Sequence, residues 1–126
     1  MRLLIHYVGD IHQPLHCTSR VNKNYPKGDR GGNDVPIKAR GEVNELHAVW
    51  DSVVYEYEGY ATLPFSADDW AAQGHNISLM VDKYPISGDE AKDLDPENWA
   101  TESFDISRSF VYKTVVENKT LSPDYV

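Results

Sequence analysis

His6 and Asp10 stand four residues apart, and His47 and Asp51 repeat the spacing. In an α-helix, residues at that interval lie one turn above each other, so each pair aims an imidazole nitrogen and a carboxylate oxygen the same way. A chain that turns both pairs toward shared ions must fold as packed helices, with ligands at the edges of their buried stripes. His16 is a further candidate, and it requires the first helix to break. It lies six residues past Asp10, about 240° round an ideal helix. Pro14, between them, removes a backbone donor and disfavours helix in Gln13. The first helix is therefore predicted to end or kink near His12, which brings His16 into the cleft that holds Asp10. Each His/carboxylate pair alone is also what an exposed helix pair looks like, contributing a few tenths of a kcal/mol. The crowding of Asp10, His12 and His16 into one short run moves the reading to metal, and zinc accepts both ligand types in a tetrahedral shell. His12 is read as a supporting or structural residue, because a ligating imidazole needs a partner for its other nitrogen. His75 is read as an ordinary surface or core histidine.

The rest of the chain is predicted to be mainly helical. Leu3, Leu4, Tyr7, Val8 and Ile11 mark the inward face of the first helix. Residues 17–34 are polar and Gly-rich and read as a long surface loop. Val35, Ile37 and Ala39 alternate, Arg40-Gly41 can turn, and 42–44 can return, which predicts one short β-hairpin. A second helix is predicted from about Glu45 to Glu58, with Leu46, Val49, Trp50, Val53, Val54 and Tyr57 on its apolar side. Ser66 with Asp69 forms a capping-box pattern that opens a helix from about Asp68 to Tyr84. Asp95 as N-cap and Pro96 at the first helical position open the last helix, with Trp99, Ser103, Ile106, Phe110 and Thr114 as its recurring stripe. Trp50 and Trp99 are read as packing residues, and Tyr25, in a polar loop, as the better candidate for stacking on a base.

Composition narrows the class. The 126 residues suit a single domain, and 40% hydrophobic with 25% charged residues is globular rather than disordered. No apolar run approaches the roughly 20 residues of a membrane span. The formal charge of -8 argues against a basic phosphate-binding surface. Bound zinc would reverse the sign locally, because a divalent ion is the largest charge in its site. The single cysteine, Cys17, has no internal partner and is read as a free thiol or as paired outside this sequence. Asn76-Ile77-Ser78 and Asn118-Lys119-Thr120 match the N-glycosylation pattern and lean toward the secretory pathway. No signal-peptide pattern is present.

Three blocks of sequence, in order, carry a resemblance: residues 5–16 (IHYVGDIHQPLH), 28–34 (GDRGGND) and 44–51 (NELHAVWD). Together they resemble the zinc-dependent S-one/P-one nuclease family, which includes mung bean nuclease and the plant bifunctional nucleases, within the superfamily shared with zinc phospholipase C. The resemblance implies a mainly α, multi-helix domain of the phospholipase C/nuclease type built around three zinc ions. On matching positions His6 would bind one ion of a close pair, Asp10 would bridge the pair, and His16, His47 and Asp51 would hold the third ion. Asn33 and Asp34 would contact substrate. The implied activity is hydrolysis of single-stranded DNA and RNA to 5′-phosphorylated products, with 3′-nucleotidase activity, by a monomeric enzyme that is secreted or delivered to a lysosome- or vacuole-like compartment.

The family begins upstream with a tryptophan-headed segment that supplies further ligands and a catalytic aspartate, and it ends in a closing helix. This sequence contains neither, so it reads as residues 1–126 of a domain truncated at both ends, with only the third zinc site fully provided and little activity of its own. Some members carry an aromatic residue after the glycine matching Gly41, where this chain has Glu42. The alternatives are a zinc phospholipase C-like phosphodiesterase, disfavoured by the GDRGGND loop, and a non-catalytic zinc-binding remnant.

Overall fold

A computed structural model describes residues 1–39, 43–52, 63–122 and 125. They fall into two compact units, one formed by Met1–Glu56 with Asp95–Val126 and the other by Tyr57–Leu94. The architecture is mainly helical, without a sheet among the described residues.

In the first unit α1 spans Arg2–Ile11 and ends with His12 as its C-cap. Gln13 turns extended ahead of Pro14, and a short 3-10 turn, Pro14–Cys17, takes over from the helix. The break therefore falls where the proline dictates. The expected inward face of α1 does not form, since Leu3, Leu4 and Tyr7 are exposed and no residue of the helix is fully buried. Val8 and Ile11 alone of that face are half-buried.

The predicted hairpin is reduced to an antiparallel bridge between Pro36 and Glu45. Ile37 N–H donates to the Asn44 carbonyl at 3.0 Å and Leu46 N–H to that of Val35 at 3.1 Å. The Arg40-Gly41 turn lies outside the described residues. Val35 and Ile37 are both buried, as their alternation requires. A third segment joins them that no sequence pattern announces. Lys38 forms a parallel bridge with Thr120, and Lys38 N–H donates to the Lys119 carbonyl at 2.9 Å.

Helix α2 is described over Leu46–Asp51, with Ser52 as its C-cap. The expected continuation to Glu58, with Val53, Val54 and Tyr57, lies outside the described residues. The last helix, here α4, spans Pro96–Ile106 with Asp95 accepting from Glu97 N–H at 2.9 Å, and a π-type turn, Ser107–Val111, continues it. Its buried stripe differs from the expected one. Ser103, which the expected stripe included, is buried together with Ser107 and Val111, whereas Ile106 and Phe110 are partly exposed and Thr114 is exposed. Two serines in place of bulky side chains allow close approach to the start of the chain. Ser103 Oγ donates to the Ile11 carbonyl at 2.7 Å, and Ser107 Oγ meets Thr18 Oγ1.

The core consists of Leu15, Val35, Ile37, Leu46, Val49, Val111 and Tyr125. Tyr125 closes it. Its ring stacks on Phe110 at 5.6 Å, its hydroxyl accepts from Trp50 Nε1 at 2.8 Å, and it donates to the Val111 carbonyl at 2.9 Å. Burial pushes the Tyr125 hydroxyl up to about 12, against which the Trp50 hydrogen bond acts. A raised folded-state pKa means that the neutral phenol contributes stability fully present below pH 10 and lost as pH rises through about 12. Denaturant midpoints measured from pH 9 to 12 are expected to fall more steeply for the native chain than for Tyr125→Phe, which has no proton to lose there.

In the second unit α3 spans Ala67–Lys83. The expected capping box is present, with Ser66 N–H donating to Asp69 Oδ2 at 2.8 Å and Asp69 N–H to Ser66 Oγ at 3.1 Å. Those bonds from Ser66 hold the Asp69 carboxyl below its usual range. Phe65 packs edge-on against Trp70 at 5.0 Å, the hydrophobic staple that fixes the chain's entry into the helix. No helix among the described residues is long and apolar enough to cross a membrane.

Candidate metal centre

The ligand candidates stand next to core residues in the sequence. His16 follows Leu15, His47 follows Leu46, and Asp51 follows Trp50. A neighbour one step round a helix from a buried residue lies at the edge of the buried stripe. Packing Leu15 against Leu46 thus carries His16 and Asp51 together, although one comes from the 3-10 turn and the other from α2.

One ligating atom from each of His16, His47 and Asp51 falls within 4.8 Å of the others. His16 Nε2 is 3.5 Å from Asp51 Oδ1, and His47 Nε2 is 3.5 Å from Asp51 Oδ2. The two imidazoles stack, with centroids 5.0 Å apart and planes 17° from parallel. His47 Nδ1 lies 2.7 Å from the Gly31 carbonyl. A carbonyl only accepts, so Nδ1 carries the proton and Nε2 presents its lone pair to the site. That is how a metal-binding imidazole is normally prepared. Two imidazoles and a carboxylate, each partly accessible to solvent, are a donor set of the kind that divalent zinc accepts.

His6 and Asp10 continue the line. His6 Nε2 is 3.3 Å from Asp10 Oδ2, and His16 Nδ1 is 3.8 Å from Asp10 Oδ1. His6 and Asp10 do not join a further group of three among the described residues. His12 stands aside. Its Nδ1 lies 2.6 Å from the Val8 carbonyl and its ring packs on Trp99 at 5.1 Å. Cys17 is a free thiol that donates to the Ile11 carbonyl at 3.3 Å, and burial raises its pKa.

The Gly28–Asp34 loop shows why its glycines are needed. Gly31 has φ 63°, and a Cβ added there would run into the Leu15 carbonyl. Only glycine lets the loop lie against the turn that carries His16 while its carbonyl reaches His47. Asp29, which sequence reasoning passed over, anchors the loop from inside. It is fully buried, and its Oδ1 accepts from Arg20 N–H at 2.9 Å and from Gly32 N–H at 3.2 Å. Its Oδ2 stands 3.6 Å from Arg20 Nε. The Arg20 guanidinium in turn is 3.6 Å from Glu117 and lies over the rings of Tyr112 at 4.7 Å and Tyr25 at 5.7 Å. Burial, then the Asp29 carboxylate beside it, pushes the Tyr112 hydroxyl well above the usual range. Tyr25 is half-buried against the core beneath Arg20, a packing position rather than an open stacking platform.

Asn33 and Asp34 line an open cavity of about 440 Å³ with Pro36, Ile37, Asn44, Glu45 and Asn118. Asn33 Nδ2 donates to the Arg30 carbonyl at 2.8 Å, and Asp34 pairs with Arg30 at 3.3 Å. The sequon residue Asn118 is exposed in a turn with φ 59°, whereas Asn76 sits half-buried within α3.

A helical scaffold that gathers His16, His47 and Asp51 defines a chain able to hold a metal ion between its elements. The family model described as S1/P1 Nuclease matches residues 1–126, and the chain belongs to that family. Endonuclease 4 of Arabidopsis thaliana is 28% identical over 99% of this chain and 41% of its own length. Endonuclease 3 of the same plant is 31% identical over 99% of this chain and 42% of its own length. Nuclease S1 of Aspergillus oryzae is 36% identical over 41% of this chain and 15% of its own. The chain thus spans about two fifths of the length of the plant relatives it matches.

Proposed function

We propose that this chain supplies the His16–His47–Asp51 zinc site of an endonuclease that hydrolyses phosphodiester bonds in single-stranded DNA and RNA to 5′-phosphorylated products, with 3′-nucleotidase activity. The observation that carries this reading is the convergence of those three side chains in a chain of a nuclease family. His6 and Asp10, paired beside the site, are the residues this chain offers to the remaining two ions.

Zinc bound at such a site supplies a Lewis acid that stabilises negative charge on a leaving 3′ oxygen. The residues of this chain do the arranging. Gly31 fixes the tautomer of His47, stacking holds the His16 ring parallel to it, and Asp51 offsets the ion's charge. Asn33 and Asp34 would meet nucleotide groups, a reading supported by their position at the open cavity and by their sharing a loop with Gly31, whose carbonyl orients His47. A single strand is flexible enough to turn its bases and phosphates toward separate side chains, which a stacked duplex resists. Exposed Asn118 is the better glycan acceptor of the two sequons, and a glycosylated, secreted or vacuole-type protein fits both motifs.

The test is hydrolysis by the full-length protein of single-stranded DNA against phosphatidylcholine, with and without a chelator. DNA cleavage to 5′-phosphate ends that stops on chelation and returns with zinc is the expected result. Hydrolysis of the lipid alone would transfer the protein to the phospholipase reading, and zinc uptake without either activity would make it a binding remnant.

A further inference from the structure

Gln13 touches every segment that carries a ligand of the metal centre. Its backbone N–H donates to the Asp10 carbonyl at 3.1 Å, and its own carbonyl accepts from His16 N–H at 3.0 Å. The side chain caps the Pro14–Cys17 turn, where its Oε1 accepts from Leu15 N–H. With the oxygen so engaged, the amide nitrogen must face away from the turn, and Nε2 donates to Asp51 Oδ1 at 2.9 Å. That bond spans 38 residues of sequence and joins the His16 turn directly to the end of α2.

We propose that Gln13 is a positioning residue for this centre, one that holds the Asp51 carboxylate by Oδ1 in the orientation in which it faces both imidazoles. Oδ1 faces His16 Nε2 and Oδ2 faces His47 Nε2, each at 3.5 Å, so a rotation of the carboxylate would disturb both contacts. An N–H donor on one carboxylate oxygen fixes the plane of the group, the supporting role that partners of metal ligands commonly play. Glutamine suits the position because it offers an acceptor to the turn and a donor to the ligand from one planar amide. The inference rests on the zinc reading of the site.

Two variants separate positioning from turn stability. Gln13→Ser keeps a capping oxygen for the turn but is too short to reach Asp51. Gln13→Met keeps the length and loses both bonds. The readouts, on the full-length protein, are zinc affinity by competition titration, the visible absorption of the cobalt-substituted site, and the melting temperature of the metal-free form. Gln13→Ser is expected to melt as the native protein does, to bind zinc about 10- to 100-fold more weakly, and to show an altered cobalt spectrum. Gln13→Met is expected to lose melting temperature as well. Native zinc affinity together with an unchanged cobalt spectrum in Gln13→Ser would overturn the role of Gln13 while leaving the zinc site standing. Failure of the native protein to bind either ion would overturn both.

Discussion

Replacing His47 with alanine is expected to weaken zinc binding by more than about 100-fold, beyond the 10- to 100-fold that loss of a supporting partner causes. His47 is the least exposed of the three candidate ligands, with 15% of its side chain accessible against 30% for His16 and 51% for Asp51. It is also the one whose tautomer is fixed, by the Gly31 carbonyl. Two remaining ligands leave a divalent ion held largely by water. Competition titration with a chromogenic chelator reads the change directly, and the metal-free fold should survive, since His47 lies at the edge of the core and not within it. On the proposed function, the same substitution in the full-length protein is expected to remove most of the proposed hydrolysis of single-stranded DNA. Near-native zinc affinity in His47→Ala would show that the ion is held elsewhere.

Asp29→Ala is expected to cost about 3–5 kcal/mol of folding stability, the range for removing one partner of a buried ion pair. The carboxylate is fully buried, and its loss leaves Arg20 facing Tyr112 with only Glu117 to balance its charge. The backbone N–H of Arg20 loses its acceptor as well, whereas Gly32 N–H keeps the Asp29 backbone carbonyl at 3.1 Å. Urea unfolding of the metal-free protein should show a midpoint shift of that size with little change in slope. Because Asp29 holds the loop whose Gly31 carbonyl orients His47, zinc affinity should fall alongside stability. Asp29→Asn, which retains an acceptor oxygen, should recover part of the stability. An unchanged midpoint in Asp29→Ala would mean that the Arg20 cluster is a surface pair of little weight.

Local rules sufficed wherever a feature is written in a few adjacent residues. The Ser66/Asp69 box opens α3 within a residue of its expected start, Asp95-Pro96 opens α4, and Pro14 ends α1 at Ile11. Spacing offered His47 with Asp51 as a pair and placed His16 near Asp10; the grouping of His16 with His47 and Asp51, which the structure brings together, was implied only by the family resemblance. Hydrophobic periodicity was a poorer guide to what is buried. In the last helix it selected Ser103 correctly but also Ile106 and Phe110, which are partly exposed, and it passed over the buried Ser107; in the first it selected Leu3, Leu4 and Tyr7, which stay exposed. A serine is buried when its hydroxyl finds a carbonyl across the interface, here that of Ile11, and that carbonyl cannot be read from the helix that carries the serine.

The amino-acid sequence by itself determined the helix ends, the ligand types and their spacing on each element, because caps, prolines and i,i+4 geometry act within a turn or two of chain. Only the tertiary structure decided which atoms meet. The Gly31 carbonyl on His47, Gln13 on Asp51, the Arg20–Asp29 pair and Tyr125 over the core all join segments distant in sequence or loops without periodicity. Such contacts are fixed by packing and by the need to satisfy buried polar groups, two conditions that the whole fold imposes at once.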